Sequence, residues 1–366
     1  MNLLMISFSI LALTCMLSAV MTYLIRIFAL KKGLVDIPQE RKIHNEPIAL
    51  GGGVAIYASM AVVILVGLIG LQLKLFPLER MFQFYDLPLS LLSGMVSVIP
   101  KVVVVLISIS VIMLLGLLDD IKGVRVSIKF FTEALMGVFL YAADIKITLF
   151  SSNPLLNLFF TVGWVVLVTN SFNLLDNMDG LTAGIAFISG IFLLGVAIEY
   201  GQFFVSFIIA SFCGALLGFL FFNYYPAKIF MGDAGSLSVG YMISVLTILT
   251  TYYTPSDSKI LPIMIPLFIL MIPIFDTLSV VVIRFKQHRP IFQGDKSHFS
   301  HRLVSLGLSQ KNAVLLIYLL CICLALPALL VRRVDPIGMF FLFLLDLVLI
   351  IIIVILEYAA IKKNKN

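Results

Sequence analysis

The stretch Asn170-Ser-Phe-Asn-Leu-Leu-Asp-Asn-Met-Asp-Gly-Leu181 lies between two long apolar runs of the chain. Amides and carboxylates in such an apolar region cost free energy, and they therefore indicate a function. If the stretch is helical, Asn173, Asp176 and Asn177 recur at i, i+3 and i+4, with Asp179 close to the same face. Oxygen-bearing side chains on one face suit a hard cation and its waters. The alternative is a helix end and a turn, where Asn, Asp and Gly are frequent.

The apolar character of the flanking runs extends through the whole chain. Of its 366 residues, 61% are hydrophobic and only 12% are charged, which is about half the charged share of a soluble domain. The mean hydropathy is +1.13. A helix that crosses a membrane needs about 20 apolar residues, and runs of that length exclude the short strands of a barrel. The composition therefore predicts an all-α, polytopic integral membrane protein.

We expect about eleven transmembrane helices, with ten as the alternative count. The apolar runs lie near 3–27, 51–73, 102–118, 128–143, 157–173, 182–199, 203–222, 236–253, 260–283, 313–331 and 336–356. The apolar stretch 86–99 is short and contains Pro88 and Gly94, so we expect it to be interfacial or re-entrant. The whole chain, 1–366, is predicted to be a single membrane domain.

The basic residues set the predicted orientation. If the loop 31–50 lies in the cytoplasm, most of the 25 Lys and Arg residues lie on that side, which puts the N-terminus outside and the C-terminus in the cytoplasm. The cytoplasmic loops are then near 31–50, 118–129, 173–182, 223–236 and 284–312. Orientation and anionic membrane lipid account for the net charge of +6, so we expect no nucleic-acid partner. The predicted location is the cytoplasmic membrane, with several passes.

Two adjacent carboxylates, Asp119 and Asp120, close the third predicted helix. Neighbouring carboxylates at a membrane boundary repel each other and are costly to desolvate, so they persist where a cation or a proton compensates them. The alternative is a solvated loop in which Lys122 and Arg125 lie nearby.

A second acidic segment, Phe230-Met-Gly-Asp-Ala-Gly-Ser-Leu237, leads into the next predicted helix. Gly232 and Gly235 allow a close backbone approach beside Asp233. Ser236 is expected to cap the following helix, whose N-terminus favours phosphate. The alternative is that Asp233 does no more than cap that helix.

The segment Asp295-Lys-Ser-His-Phe-Ser-His-Arg302 places His298 and His301 at i, i+3. Paired histidines flanked by Lys296 and Arg302 are suited to pyrophosphate oxygens or to proton transfer. Zinc is the competing chemistry, but a cysteine partner and a His-Glu-x-x-His pattern are both missing from the sequence. A basic surface loop is the remaining alternative.

Three further acidic residues lie inside predicted helices. Asp276 follows Pro273 in the ninth predicted helix. Such a carboxylate is expected either to contact residues of the site without contacting substrate or to bond a neighbouring helix. Glu133 and Asp346 are isolated, and we expect them to act in helix packing.

An even number of predicted helices separates each polar loop from the next, so all of them emerge on one side and can meet. Five acidic loop residues with His, Lys and Arg then indicate a Mg²⁺-assisted reaction on phosphate or pyrophosphate, with Mn²⁺ as the alternative ion. The pattern GxxxxGK[ST] does not occur in the sequence, which argues against ATP hydrolysis by a P-loop.

At these residues the chain resembles the polyprenyl-phosphate N-acetylhexosamine-1-phosphate transferases, the superfamily (glycosyltransferase family 4) that includes phospho-MurNAc-pentapeptide transferase. The motifs occur in family order from about residue 20 to 305. The matching stretches are Arg41-Lys-Ile-His-Asn-Glu-Pro47 with Gly51-Gly-Gly53, Gly116-Leu-Leu-Asp-Asp120, Asn173 to Leu181, Asn223 through Pro226 to Ser236, Pro273-Ile-Phe-Asp-Thr277, and Asp295 to Arg302.

The resemblance implies a cytoplasmic site, Mg²⁺, a UDP-N-acetylhexosamine donor and undecaprenyl phosphate as acceptor. It implies catalytic roles for Asp119, Asp120, Asp176 and Asp179, one of the first two activating the lipid phosphate. It implies metal binding by Asp233 and Asp176. The residues implied for substrate binding are Asn173, Asn223, Lys129, His298, His301, Arg302 and His44.

One position departs from the family pattern, because Ser300 stands where a His is common. The departure bears on recognition of the sugar or the pyrophosphate more than on the reaction class. We expect the change Ser300→His to be tolerated in a basic loop outside the bilayer. The segment Asp295-Lys-Ser-His298 is closer to the UDP-N-acetylhexosamine branch than to the muramyl-pentapeptide branch.

The sequence is therefore predicted to encode a transferase in which undecaprenyl phosphate attacks the β-phosphorus of a UDP-N-acetylhexosamine. UMP leaves, and the lipid-linked sugar starts a cell-surface glycan. The alternative within the class is the phospho-MurNAc-pentapeptide transferase of peptidoglycan synthesis. An ion-coupled transporter is the alternative from another class, although transporters place their sites near the midplane and often contain repeats. For the oligomeric state, a homodimer is considered beside the monomer.

Overall fold

A computed structural model describes residues 2–36, 47–73, 90–148, 152–252, 264–290, 298–331 and 333–363. The helices make up most of this part of the chain, and turns, loops and one short two-stranded hairpin make up the rest, so the all-α prediction is confirmed. The helices are α1 (Asn2–Lys32), α2 (Gly52–Gln72), α3 (Ser90–Lys122), α4 (Val126–Ala142), α5 (Pro154–Leu175), α6 (Leu181–Glu199), α7 (Phe203–Asn223), α8 (Gly232–Leu249), α9 (Ile265–Ile269), α10 (Met271–Lys286), α11 (Phe299–Ser305), α12 (Gln310–Leu330) and α13 (Pro336–Lys363).

Eight helices in the described part of the chain are long and apolar enough to cross a membrane, namely α1, α2, α3, α5, α6, α7, α8 and α12. The helix α4, at 17 residues, is shorter than a typical span. The segment 264–286 is divided between α9 and α10, and α13 contains the apolar stretch Phe340–Leu356. A polytopic membrane protein is confirmed, whereas the count of eleven stays a prediction.

The segment 86–99 differs from the expectation. From Ser90 onward it forms the first part of α3, which continues through Pro100 to Lys122. The expectation of a separate interfacial or re-entrant segment is therefore wrong for 90–99, and 86–89 lie outside the described residues. Proline removes one backbone hydrogen bond and is tolerated within membrane helices, so Pro100 does not end the helix.

The predicted helix 260–283 is interrupted at Leu270, where α9 ends and α10 begins. Pro273 occupies the first turn of α10, where a missing N–H is tolerated because no carbonyl of the same helix would accept it. A single continuous helix through this position was the wrong expectation. The break separates α10, which reaches the candidate site, from the preceding short helix.

The helix α8 forms the centre of the bundle, because it packs against α2, α3, α5, α6 and α7. Of its residues, 78% are buried, against 17% of the most apolar part of α1. Helices in lipid approach each other closely where small residues face the neighbour. Gly116 of α3 is such a place, since a Cβ there would lie 2.3 Å from the carbonyl oxygen of Asp233. The first turn of α8 is therefore set directly against α3.

The hairpin fixes the segment that precedes α8. Its strands β1 (Val35–Asp36) and β2 (Ile48–Ala49) pair antiparallel. The carbonyl of Ala49 accepts a hydrogen bond from Phe230 N at 2.9 Å, and Gly52 N donates to the carbonyl of Phe230 at 3.0 Å. The start of α2 and the segment before α8 are thus joined through their backbones.

We predict that Gly116→Ala lowers the melting temperature of the purified protein and removes most of its activity. The added methyl group has no room against the α8 backbone, and overpacking costs about 1–3 kcal/mol. The control is Gly163→Ala in α5, where an added Cβ has no atom within 4 Å. Melting curves in detergent that coincide for Gly116→Ala and the parent would show that α3 and α8 do not depend on this contact.

Candidate active site

Lys129 lies at the centre of a charged group formed by three helices. Asp119 is near the end of α3, Lys129 is in the first turn of α4, and Asp233 is in the first turn of α8. The Lys129 ammonium donates to Asp233 Oδ2 at 2.9 Å and also to Asp119 Oδ2. The exposed fractions of the three side chains are 16%, 33% and 11% for Lys129, Asp233 and Asp119. A partly shielded cation therefore separates two carboxylates.

Asp120 has a different position from its neighbour. Its Oδ1 accepts from Asp233 N at 2.8 Å, and its Oδ2 accepts from Ala234 N at 3.1 Å. A carboxylate at these amides satisfies donors that an isolated helix leaves unpaired, and it favourably meets the positive end of α8. Gly232 has φ of +68° and allows this approach, because a Cβ would lie 2.5 Å from Asp120 Oδ2.

The expectation that Ser236 caps this helix is wrong. The helix α8 begins at Gly232, so Ser236 lies inside it and is buried. Asp233, the alternative cap, makes no side-chain cap of α8 either. The carboxylate that accepts the first amides of α8 comes instead from Asp120 of α3, more than a hundred residues away, which no local pattern indicates.

The helix α5 ends at Leu175, within the stretch that was predicted to share one helical face. Asp176 has φ of −77° and ψ of 64°, which is not helical, and Gly180 precedes α6 with φ of +75°. The shared face is therefore wrong beyond Asn173, and the turn that was its alternative is present. Asn173 remains on α5, with its Oδ1 3.5 Å from Ser236 Oγ.

Asp176 lies close enough to three other carboxylates, those of Asp120, Asp179 and Asp233, to interact with them electrostatically. The residue is exposed. Desolvation by neighbouring protein atoms raises the pKa of the Asp176 carboxyl above its ordinary value, and the carboxylates of Asp233, Asp120 and Asp179 raise it as well. Negative charge is thus concentrated around the turn after α5.

Asp179 and Asn223 join two of the polar segments. Asp179 Oδ2 accepts from Ala227 N at 2.9 Å. Asn223, which is 5% exposed, accepts from Gly180 N at 3.1 Å and donates to the carbonyl of Ile229 at 2.9 Å. These contacts hold the turn after α5 against the segment before α8. Direct roles of both side chains toward substrate stay predictions.

The histidine segment packs against α10 and the turn after α5. His298 and Arg302 are each 4% exposed, and His298 Nδ1 lies 2.8 Å from Asp276 Oδ2. The expectation that Asp276 bonds a neighbouring element is confirmed, and the alternative of a surface loop is wrong for 298–302. His301 lies on α11 and is partly exposed. His44, Asp295 and Lys296 lie outside the described residues, and their predicted roles stay predictions.

Ser300 is not in the exposed position that was expected. It is 2% exposed, and its Oγ donates to Asn177 Oδ1 at 2.6 Å. A histidine side chain is larger than that of serine and would have to fit the same buried position. The expectation that Ser300→His is tolerated assumed an exposed loop, so it loses its premise. The polar segments predicted to meet are linked in the structure. Segment 118–129 contacts the start of α8. Segment 223–236 contacts the turn after α5, and that turn contacts α11.

Several partners in this region were not predicted. The hydroxyl of Tyr318 on α12 donates to the carbonyl of Gly180, although its apolar surroundings in sequence carried no sign of this. Asn170 donates to the buried carboxylate of Glu133, which confirms helix packing between α4 and α5 for Glu133. Asp346 is 3% exposed on α13.

The donor set fits a divalent cation in charge but is not arranged as a closed metal site. In the described residues, no group of three or more His, Cys, Asp and Glu side chains could hold a metal ion as it stands. The carboxylates of Asp119, Asp120, Asp176, Asp179 and Asp233 nevertheless outnumber Lys129, the cation between two of them. Such an excess of carboxylate oxygens is what Mg²⁺ prefers.

Comparisons with known proteins agree on one family. The sequence profile of glycosyl transferase family 4 matches residues 102–251. The chain is 30% identical to the probable undecaprenyl-phosphate N-acetylglucosaminyl 1-phosphate transferase of Bacillus subtilis, over 89% of this chain and 85% of the relative. It is 31% identical to the decaprenyl-phosphate N-acetylglucosaminephosphotransferase of Mycolicibacterium smegmatis, over 84% and 79%. It is 32% identical to a phospho-N-acetylmuramoyl-pentapeptide-transferase of Streptococcus pyogenes, over 62% and 68%.

We predict that Lys129→Gln destabilises the protein, because it leaves Asp119 and Asp233 without the cation between them. The free energy of unfolding is expected to fall by about 1–3 kcal/mol. This is less than for a fully buried ion pair, because these side chains are partly exposed. Added Mg²⁺ should then raise the melting temperature of this variant more than that of the parent. Lys122→Gln, at an exposed position at the end of α3, is the control. A variant with parental melting behaviour and no response to Mg²⁺ would contradict the assigned role.

Proposed function

We propose a specific reaction for this chain, which belongs to glycosyl transferase family 4 and is a membrane phosphosugar transferase. In this proposal it transfers N-acetylhexosamine 1-phosphate from a UDP-sugar to undecaprenyl phosphate. The observation that carries the proposal is the linked acidic group around Lys129, where α3, α4 and α8 meet. N-acetylglucosamine is the proposed sugar, because the relatives that cover most of this chain are named for it.

In the proposed reaction, a phosphate oxygen of the lipid attacks the β-phosphorus of the UDP-sugar. One P–O bond forms to the lipid phosphate, and the P–O bond to UMP breaks, so a sugar-pyrophosphoryl lipid and UMP result. The lipid tail stays in the bilayer while its phosphate is hydrophilic, so the reaction needs polar groups at the ends of membrane helices. The acidic residues of this chain occupy such positions.

We assign proton acceptance from the lipid phosphate to Asp119. Both oxygens of Asp120 already accept amides of α8, which makes Asp120 the residue that holds this helix in place. Asp119 is also hydrogen-bonded at both oxygens, since Oδ1 accepts from Val124 N and Oδ2 from Lys129. It differs from Asp120 in bonding an ammonium, which it shares with Asp233 and which can also meet an incoming phosphate. Lys129 is then the proposed cation for substrate phosphate, as the resemblance implied.

Asp233 and Asp176 are the residues proposed to hold Mg²⁺, with Mn²⁺ as the alternative. When bound, the ion would neutralise negative charge on the pyrophosphate. Asp176 suits this role because its carboxyl is accessible and is surrounded by further acidic groups. Asn173 and Asp179 are proposed to complete the inner surface of the site.

We propose His298, His301, Arg302 and His44 for the donor side, with His301 the most accessible of the three that are described. The proposed topology has the N-terminus outside and the acidic segments in the cytoplasm, as the distribution of Lys and Arg favours. The lipid-linked sugar is proposed to start the synthesis of a cell-surface glycan. A homodimer is the oligomeric state considered in the same proposal.

Two alternatives make different products. A phospho-MurNAc-pentapeptide transferase would use a UDP-muramyl-pentapeptide donor, and only 62% of this chain aligns with the relative of that name. An ion-coupled transporter would release no UMP. The observed linking of carboxylates at helix ends argues against a transporter, whose site is expected near the midplane.

The test is incubation of the purified protein with undecaprenyl phosphate, Mg²⁺ and a panel of UDP-sugars, followed by mass analysis of the lipid and measurement of UMP. We expect UDP-N-acetylglucosamine to give a lipid product and an equal amount of UMP. Product from UDP-muramyl-pentapeptide alone would support the alternative enzyme. No UMP from any donor would contradict the proposed function.

We predict that Asp233→Asn retains the fold and lowers kcat by about a hundredfold or more, which is the size of effect found when one preorganised group that stabilises transition-state charge is removed. The variant preserves the shape of the side chain and the amide that Asp120 accepts. Asp144→Asn is the control, because Asp144 is 66% exposed and pairs with Lys101 and Lys146 away from the site. Parental turnover of Asp233→Asn at every Mg²⁺ concentration would exclude Asp233 as a ligand.

A further inference from the structure

Asp276 on α10 is a buried carboxylate with a partner for each oxygen. It is 1% exposed. Its Oδ2 lies 2.8 Å from His298 Nδ1, and its Oδ1 accepts from Phe299 N at 2.7 Å. Arg302 Nη2 lies 3.8 Å from the same Oδ1 and donates to Ser279 Oγ at 2.8 Å. One carboxylate from a membrane helix therefore contacts the start of α11 at several points.

The contact with His298 determines which ring nitrogen carries a proton. An ionised carboxylate only accepts hydrogen bonds, so the nitrogen that faces Asp276 Oδ2 must be protonated. Nδ1 is that nitrogen. The partner of one ring nitrogen fixes the orientation of the ring and the role of the other. In this arrangement Nε2 is the ring nitrogen left for a further hydrogen bond.

The same carboxylate also fixes α11 relative to the site. Phe299 N is a first-turn amide, which no carbonyl of its own helix can accept, and Asp276 satisfies it. One residue later, Ser300 donates to Asn177 in the turn after α5. The helix α11 is thus held between α10 on one side and the acidic turn on the other.

We infer that Asp276 is a positioning residue for use of the donor: it holds His298 with Nδ1 protonated and sets α11 so that Nε2 can hydrogen-bond the UDP-sugar. The inference rests on the proposed function for the identity of the donor. It assigns no contact between Asp276 and substrate. Its structural part concerns only Asp276, His298 and α11, and it can be tested without turnover.

The structural part is tested by nuclear magnetic resonance on protein with ¹⁵N-labelled histidine in lipid bilayers. The chain has only four histidines, and the variant His298→Gln identifies the signals of His298. We expect Nδ1 of His298 to be protonated in the parent. In Asp276→Asn the side-chain amide donates toward the ring, so Nδ1 should lose its proton and Nε2 should carry one.

An unprotonated Nδ1 in the parental protein would overturn the inference, and this measurement needs no variant of Asp276 to fold. An unchanged His298 spectrum in a folded Asp276→Asn protein would overturn it as well.

The kinetic part is tested with a double-mutant cycle. Asp276→Asn should lower kcat/KM for the UDP-sugar about ten- to a hundredfold, as expected for one charge-assisted hydrogen bond, while KM for undecaprenyl phosphate changes less than twofold. In a His298→Ala background, the same Asp276→Asn change should alter donor kcat/KM less than twofold, because its effect passes through His298. An equal loss in both backgrounds would overturn the inference.

Asp346→Asn is the matched control for removal of a buried carboxylate. Asp346 is 3% exposed, and neither of its oxygens has a hydrogen-bond partner within the described residues. We expect parental kinetics from this variant. If the parental protein turns over no UDP-sugar, the proposed function fails, while the protonation of His298 Nδ1 still decides whether Asp276 positions it.

Discussion

Charge compensation at the first turn of α8 is the constraint on which the candidate site depends. The carboxylates of Asp119 and Asp233 lie close together at the end of an apolar bundle, and the ammonium of Lys129 reaches both. On the same turn, Asp120 accepts two backbone amides of α8. The positions of α3, α4 and α8 are coupled through these groups, because displacement of any one helix would leave a charge or an amide without its partner.

This coupling explains why small residues matter at the same place. The α8 backbone can meet Asp120 only because Gly232 has no side chain, and α3 can lie against that turn only because Gly116 has none. In lipid the hydrophobic effect does not drive helices together, so close packing and polar contacts determine the arrangement. The central helix is therefore positioned by its polar end as much as by its buried length.

Sequence reasoning predicted the helical membrane fold and the meeting of the polar segments, since both follow from long apolar runs and the parity of crossings. It did not predict where helices end inside polar segments. The helix α5 stops at Leu175, and the predicted ninth helix breaks at Leu270. Local patterns could not decide these points, because Asn and Asp occur both on helical faces and in turns, and Pro273 is compatible with a helix interior or a helix start.

Contacts between residues that are far apart in the chain could not be predicted from local sequence patterns either. Nothing local distinguishes Asp120, which holds α8, from Asp119, which pairs with Lys129, because the two are adjacent and chemically identical. Likewise, Ser300 reads as part of a basic loop, yet it is buried against Asn177. These partners are chosen by tertiary packing, which brings one carboxylate of a pair to a helix terminus and leaves the other facing a cation.

Two carboxylates perform the same structural task in different parts of the molecule. Asp120 accepts amides at the start of α8, and Asp276 accepts an amide at the start of α11. In each case a side chain from a membrane helix satisfies amides that would otherwise be unpaired at low dielectric, where their loss is most costly. Polar segments that would be loops in isolation thereby begin as anchored helices. Asp233 on α8 and His301 on α11 consequently project from fixed backbone positions, which is the rigidity that a reaction between two phosphate groups requires.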